Sequence, residues 1–205
     1  MKYLAATGSS LIGRHPELAI MIGPRSNGMT PIREGRPWAG DNDAFHGRFT
    51  EQKFFKHLNR LTPFIPSCLF ITCPDVRLDC EATLRLWDEW SPYLAFEGFP
   101  VAYVAQDGCQ NFPLPDADRL FIGGGDEWRA EWMGEMIRRG TEAGMAVHVG
   151  RVNSLKRMRL TDSFGASWCD GTYIKYRGKE RGLREVGQWL DKVNGTQFMD
   201  YLETA

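Results

Sequence analysis

The chain has 205 residues, 42% of them hydrophobic, and a formal net charge of −1 at pH 7. A chain of this length buries one substantial core, and we expect a single domain over residues 1–205. It has no apolar run of about eighteen residues, and its N-terminal stretch lacks the charged-then-apolar pattern of a secretory signal. These features exclude a membrane protein and predict a cytoplasmic one.

The cysteines are scattered along the chain without a C-x-x-C pair, and their number is odd. They are Cys68, Cys73, Cys80, Cys109 and Cys169. This pattern argues against a disulfide framework and against a cysteine-rich zinc site. We expect reduced thiols, no metal and no cofactor.

Short apolar segments alternate with amphipathic segments along the chain. The apolar segments predict, in chain order, the strands KYLAAT, LAIMIGPR, PWAGDNDAF, CLFITCPDV, PVAYVAQDG, RLFIGGGDEW, MAVHVGRV and ASWCDGT. The amphipathic segments predict the helices TEQKFFKHLNRL, CEATLRLWDEWSPYLAF, EWRAEWMGEMIRRGTEAG, SLKRMRLTDSFG and GLREVGQWLDKVNG.

The alternation of strands and helices predicts parallel strands joined by right-handed crossovers, and therefore the α/β class. An open doubly wound sheet is disfavoured because no early G-x-G-x-x-G opens a helix after a strand. We expect a compact (β/α)8 barrel with short or incomplete elements, since the length is near the lower limit for that fold.

Polar residues and glycines follow nearly every predicted strand. They are Asp41, Asn42 and Asp43; Asp75; Gln106 and Asp107; Gly123, Gly124, Asp126 and Glu127; His148, Gly150 and Arg151; and Asp170. Any one of them is explained by a turn. In a barrel, however, the carboxyl ends of all the strands meet on one rim, where several carboxylates repel one another and their pKa values separate. Such carboxylates suit acid–base or nucleophilic chemistry.

Carboxylates without a metal motif indicate cleavage of a glycosidic bond. One carboxylate attacks or shields the sugar carbon and the other handles the proton of the leaving group. The run Gly123 to Gly125 allows the backbone to approach a flat base, and the amide of Gln106 offers both a donor and an acceptor to a base edge.

Basic residues concentrate near the C-terminus. From Arg151 to Arg184 there are nine basic residues against three acidic ones. The side chains that we expect to contact a nucleic-acid backbone are Lys156, Arg157, Arg159, Lys175 and Arg177. A solvated helix face is the alternative interpretation of this stretch.

Six short motifs, in this order, resemble those of the tRNA-guanine transglycosylase superfamily: DNDAF, CPDV, VAQDG, IGGGDEW, VHVGRV and WCDGT. The resemblance is closest to the short phage and bacterial relatives that are proposed to insert 7-deazaguanines into DNA. It covers the chain from about Asp41 to Thr172 and implies a guanine-exchanging enzyme, located in the host cytoplasm if a phage encodes it.

The resemblance implies a role for each matching residue. Asp170 would be the nucleophile that attacks C1′ of the target nucleoside, and Asp41 would be the general acid and base. Asp75 would bind the purine edge, Gln106 its carbonyl or amino group, and Phe45 would stack on the base. The backbone of Gly123 and Gly124, together with Glu127 and Arg151, completes the implied substrate-binding set.

The sequence also departs from the family. The tRNA enzymes hold a structural zinc near the C-terminus with three cysteines and a histidine, whereas this chain has neither residue after Asp170. DNA is therefore expected as the polymer substrate rather than tRNA, with a partner protein or a homodimer helping to hold it. Asp43 stands where the family has a small residue, and this carboxylate is a possible competitor of Asp41.

Two alternatives stay open at this point. An N-glycoside hydrolase would use the same carboxylate pair, with water resolving the sugar–enzyme intermediate. A non-catalytic barrel would bind a nucleobase or nucleic acid without changing it.

Overall fold

A computed structural model describes residues 1–6, 12–13 and 15–195, with the exception of the side chain of His46. Thr7, at the end of the predicted first strand, and residues 196–205 of the predicted domain lie outside the described residues. Within the described part, eight parallel strands follow one another in chain order and close into a barrel. The predicted (β/α)8 barrel is thus confirmed.

Each strand pairs in parallel with its neighbour in sequence, and the eighth closes on the first. The strands are β1 Lys2–Ala5, β2 Leu18–Ile22, β3 Trp38–Gly40, β4 Cys68–Thr72, β5 Val101–Ala105, β6 Arg119–Ile122, β7 Ala146–Val149 and β8 Trp168–Gly171. At the closure, Leu4 of β1 lies opposite Asp170 of β8.

The α-helices of the described residues lie outside the barrel. They are α1 Thr30–Arg33, α2 Glu51–Leu61, α3 Cys80–Phe96, α4 Asp126–Glu142, α5 Leu155–Ser163, α6 Tyr173–Arg177 and α7 Lys179–Asn194. Short 3₁₀ helices occur at Ala44–His46, Thr62–Ser67 and Cys109–Asn111. The turn Cys109–Asn111 is the only helical segment between β5 and β6. This crossover therefore contains one of the short elements that the sequence predicts.

Three long helices begin at the residues that favour a helix N-terminus. The side chains of Thr50, Asp79 and Ser154 each accept a hydrogen bond from an amide in the first turn of α2, α3 and α5. Each bond satisfies an amide that has no partner within its own helix. The N-termini of these three helices are therefore fixed at defined residues.

The inside of the barrel is filled by side chains of alternating strand positions. Its buried apolar members are Leu4, Ala19, Met21, Ala39, Phe70 and Ala102. His148 lies among them, with its ring centroid 4.6 Å from that of Phe121 and 5.1 Å from that of Phe70. Because side chains two positions apart on a strand face the same side, Asp41 after Ala39 and Asp170 after Trp168 stand above this packed floor.

The structure differs from the predicted elements after β3. The segment PWAGDNDAF was predicted as one strand, but β3 ends at Gly40 and a 3₁₀ helix begins at Ala44. Asp43 adopts φ 65°, a left-handed conformation that cannot continue a strand. The short helices α1 and α6 were not predicted because four or five residues are too few to show a helical period.

We predict that Phe70→Ala destabilises the protein by about 3–5 kcal/mol, because it leaves a cavity in the barrel interior. The matched control is Phe96→Ala, which removes a phenylalanine that is 88% exposed at the end of α3. The control is expected to change stability by less than about 0.5 kcal/mol. Chemical denaturation followed by circular dichroism measures both, and equal effects would contradict the assigned interior position of Phe70.

Candidate active site

All six sequence motifs lie at the carboxyl ends of strands β3 to β8, one motif per strand. Since the strands are parallel, the motifs meet on a single rim of the barrel. The expected convergence of strand-end residues is therefore observed, and the contacts of each residue define what this rim can do.

Asp170 occupies the end of β8, with its side chain 23% exposed. Its Oδ1 accepts a hydrogen bond from the backbone amide of Arg151 at 2.8 Å. The Nε2 atom of His148 lies 3.7 Å from the same oxygen, too far for a hydrogen bond. The carboxylate is thus positioned by β7 and β8 together and remains accessible from the mouth of the barrel.

Asp41 follows β3 and is half-buried on the same rim. Burial raises the pKa of this carboxyl from 3.8 to about 7, and the negative charge of Asp170 adds to the rise. The backbone amide of Asp43 donates to Asp41 Oδ1 at 3.4 Å, and this hydrogen bond partly opposes the rise in pKa. A carboxyl that titrates near neutrality both gives and takes protons at physiological pH.

Asp43, the carboxylate that the sequence offered as a competitor of Asp41, has its own cation. Arg25 Nε donates to Asp43 Oδ2 at 2.6 Å and Arg25 Nη2 donates to Oδ1 at 3.1 Å. This two-point pairing satisfies both carboxylate oxygens. Asp41 is therefore the better placed of the two for proton transfer.

Asp75, after β4, is held by two side-chain amides. Asn42 Nδ2 donates to its Oδ1 and Gln106 Nε2 donates to its Oδ2, both at 2.7 Å. Burial raises the pKa of Asp75, and these two hydrogen bonds oppose the rise. Asn42 also donates to the carbonyl of Cys73 at 2.8 Å, so the strand ends of β3, β4 and β5 are joined by one polar network.

Gln106 is 4% exposed, and its carbonyl oxygen is already occupied. Oε1 accepts from the amides of Leu78 at 3.0 Å and Gly124 at 3.1 Å. The structure therefore places Gln106 behind Asp75, as a side chain that orients the rim. A direct contact between Gln106 and a base stays a prediction. That contact would use the second hydrogen on Nε2, since Nε2 already donates to Asp75.

The glycines after β6 are required by close packing. Gly124 has φ 68°, and a Cβ there would lie 2.2 Å from the ring of Trp128. A Cβ on Gly123 would lie 2.9 Å from Gln106 Nε2. No larger residue fits at either position without moving these side chains.

The side chain of Arg151 turns away from Asp170 toward the β6 loop. Its guanidinium donates to Asp126 Oδ1 at 3.1 Å and to the carbonyl of Gly124. It also lies 5.3 Å from the ring centroid of Phe45. Phe45 is 42% exposed at the mouth and has the guanidinium of Arg77 at 4.8 Å as well.

The remaining predicted residues are on the surface. Glu127 is exposed in the first turn of α4, outside the hydrogen-bonded network described above. The basic residues Lys156, Arg157, Arg159 and Lys175 are exposed. Arg177 is exposed as well, but its Nε donates to Glu185 at 3.2 Å, which reduces the charge it offers to a ligand.

Two buried residues beside Asp170 were not assigned a role from the sequence. Arg129 of α4 donates from Nη2 to the carbonyl of Gly150, and burial lowers its pKa to about 10. The ring of His148 is buried, and neither of its nitrogens has a hydrogen-bond partner among the described residues. No local pattern marks either one, because their neighbours in space are distant in sequence.

The loops after β7 and β8, where many barrels bind phosphate, are closed by an asparagine. Asn153 Oδ1 accepts from the amides of Thr172 at 2.7 Å and Tyr173 at 3.0 Å. These amides are the donors that would otherwise point to an anion. A phosphate at this position would have to displace the Asn153 side chain.

The described part of the chain contains no group of three or more histidine, cysteine, aspartate or glutamate side chains arranged to hold a metal ion. Among the helices in that part, none is both long enough and apolar enough to cross a membrane.

Comparison with known proteins identifies the fold. No protein-family model and no curated protein matches the sequence. Among solved structures, the chain resembles one from the tryptophan synthase complex of Pyrococcus furiosus, with 15% identity, a TM-score of 0.56 and coverage of 95% of this chain and 96% of that one. A native KDPGal structure matches with 10% identity, a TM-score of 0.55 and coverage of 98% and 95%. At these identities the likeness shows the barrel fold alone.

The raised pKa of Asp41 predicts a pH-dependent stability. The folded protein retains a proton on Asp41 between pH 3.8 and about 7 that the unfolded chain releases. Stability from this group is therefore complete below that range and is lost as the pH rises through it. We expect Asp41→Asn to raise the melting temperature at pH 8 by about 3 °C or more and to leave it unchanged at pH 4.

Thermal unfolding of both proteins at the two pH values measures this difference. Asp88→Asn, which changes an exposed aspartate of α3, is the control and should alter neither midpoint. A melting temperature of Asp41→Asn that equals the wild-type value at pH 8 would contradict the raised pKa.

Proposed function

We propose that the protein exchanges guanine in DNA for a 7-deazaguanine base by double displacement. One observation carries the proposal: the six motifs resembling the transglycosylase family occupy successive strand ends, with Asp170 and Asp41 close enough for their charges to interact.

In the first displacement, a carboxylate oxygen of Asp170 forms a bond to C1′ of the target nucleoside and the C1′–N9 bond breaks. The bonding electron pair leaves with guanine, which takes a proton from Asp41. The amide of Arg151, which donates to Oδ1 at 2.8 Å, orients the carboxylate and leaves the other oxygen for attack.

In the second displacement, the incoming 7-deazaguanine gives its N9 proton to Asp41 and attacks C1′. The bond between Asp170 and the sugar breaks, and the free carboxylate is restored. Asp41 thus ends the cycle in the state in which it began. A pKa of about 7 suits both halves, since the group has to be an acid in one and a base in the other.

Recognition of the base is assigned to the neighbouring strand ends. Asp75 has both oxygens on amide donors but retains lone pairs that can accept from the N–H groups of a guanine edge. The side-chain-free backbone at Gly123 and Gly124 allows a flat ring to approach. Phe45, 42% exposed at the mouth, would stack on the base in place of a guanidinium that now lies over its ring.

A polymer substrate is supported by the surface around the mouth. Exposed basic side chains lie on α5 and α6, the two helices that follow β7 and β8. The phosphate position between these strands is closed by Asn153, which disfavours a small phosphate monoester bound deep in the rim. Phosphates of a nucleic-acid backbone running over the basic helices fit this arrangement better.

We predict that Asp170→Asn abolishes base exchange, because the amide cannot form the covalent bond to C1′. Purified protein is offered radiolabelled guanine or 7-cyano-7-deazaguanine together with DNA, and label in the polymer is counted. The control is Asp88→Asn on α3, which should exchange as well as the wild type.

The same assay is run with tRNA, and the released products are analysed. Full exchange by Asp170→Asn would overturn the mechanism. Free guanine with an abasic product, unaffected by added 7-deazaguanine, would identify a hydrolase instead. Label in tRNA but not in DNA would overturn the choice of polymer.

We predict that Arg157→Ala weakens DNA binding and makes it less sensitive to salt. Removing one phosphate contact lowers the slope of log K against log salt concentration by about 0.9 for duplex DNA. Arg138→Ala is the control, since Arg138 already pairs with Glu135 and Glu142 on α4. Fluorescence anisotropy at several salt concentrations measures the slope, and identical slopes for both variants would remove Arg157 from the DNA path.

A further inference from the structure

The loop that follows β4 exposes apolar side chains beside the mouth of the barrel. In this segment, residues 76–78, Val76 is 37% exposed and Leu78 is 46% exposed, with the exposed Arg77 between them. A cavity of about 740 Å³ adjoins it, lined by residues that include Phe45, Asp75, Val76 and Arg77. Apolar groups at this position gain little from folding because much of their surface stays in water.

Leu78 is held in a strained conformation. Its φ of 64° lies in the left-handed region, which is uncommon for a non-glycine residue. Its amide donates to Gln106 Oε1 at 3.0 Å, and a Cβ on Gly125 would lie 3.2 Å from Leu78 Cδ2. The side chain is therefore fixed relative to the network around Asp75. Strain of this kind persists where the surrounding structure imposes it, and it concentrates at functional sites.

Two cations lie beside Phe45, which lines the same cavity as Val76. The guanidinium of Arg77 lies 4.8 Å from the Phe45 ring centroid, and that of Arg151 lies 5.3 Å from the same centroid. A protein partner bound on this surface would cover the entrance to Asp41 and Asp170. A nucleic acid would not block the entrance in this way, because one of its own bases enters the mouth.

Base exchange on duplex DNA carries a physical requirement. The C1′ atom of a stacked and paired nucleotide is not open to in-line attack, so the nucleotide has to rotate out of the helix. Unstacking costs a few kcal/mol, and apolar side chains that enter the base stack offset this cost.

We propose that Val76 and Leu78 form a wedge that enters the duplex at the position vacated by the target guanine, while Arg77 binds an adjacent phosphate. This inference rests on the proposed function and specifies its substrate as double-stranded DNA. The wedge lies next to the base-binding network, so that opening of the stack and capture of the base occur at adjoining positions.

The test compares Leu78→Ala with the wild type on one linearised plasmid DNA, used as the native duplex and after heat denaturation with rapid cooling. Both forms have the same sequence contexts. We expect exchange on the duplex to fall about tenfold or more and exchange on denatured DNA to stay within about twofold. Leu78→Met, which retains an apolar side chain, should restore the duplex activity. Phe96→Ala, at the exposed end of α3, should change neither activity.

The outcomes separate the wedge from the proposed function. Equal losses on both DNA forms, or no loss on either, would overturn the wedge while leaving base exchange intact. Wild-type exchange on denatured DNA alone would also overturn it, because no duplex would then be opened. Failure of the wild type to exchange on either form would overturn the proposed function, and the wedge with it.

Discussion

The burial of Asp41 on the barrel rim that it shares with Asp170 is the constraint on which the site depends. Closure of eight parallel strands brings the ends of β3 and β8 onto the same rim, and water is partly excluded there. Burial and the charge of Asp170 together raise the pKa of Asp41 to about 7. Asp41 therefore gains and loses its proton near neutrality, and its position on the rim rather than its residue type is the cause.

The rim keeps its geometry because the structure below and behind it is packed. The rings of Phe70, Phe121 and His148 form a floor inside the barrel, and Asp170 stands directly above it. Behind the rim, Arg129 holds the carbonyl of Gly150, one residue before the amide that orients Asp170. A donor amide fixed in this way gives the Asp170 carboxylate a defined direction before substrate arrives.

The sequence predicted what depends on local pattern, and it could not predict what depends on distant contacts. Alternating strands and helices gave the barrel, and the barrel put Asp41, Asp75 and Asp170 on one rim. The pairing of Asp43 with Arg25 spans 18 residues and has no local signal. Arg129 in α4 reads as a surface residue until its contact with Gly150, 21 residues away, is seen. The left-handed φ of Leu78 is equally hidden, because leucine normally avoids that conformation.

The distribution of hydrogen bonds among the rim carboxylates indicates which of them react. Asp43 has a two-point arginine partner and Asp75 has two amide donors, so the negative charge of each is stabilised in the ground state. For the side chains of Asp170 and Asp41, by contrast, the hydrogen bonds found among the described residues come from a backbone amide, at 2.8 Å and 3.4 Å respectively. A carboxylate surrounded by strong donors is a poor nucleophile and a poor base, because attack has to break those bonds. This difference supports the proposal that Asp41 and Asp170 react, while Asp43 and Asp75 bind and support.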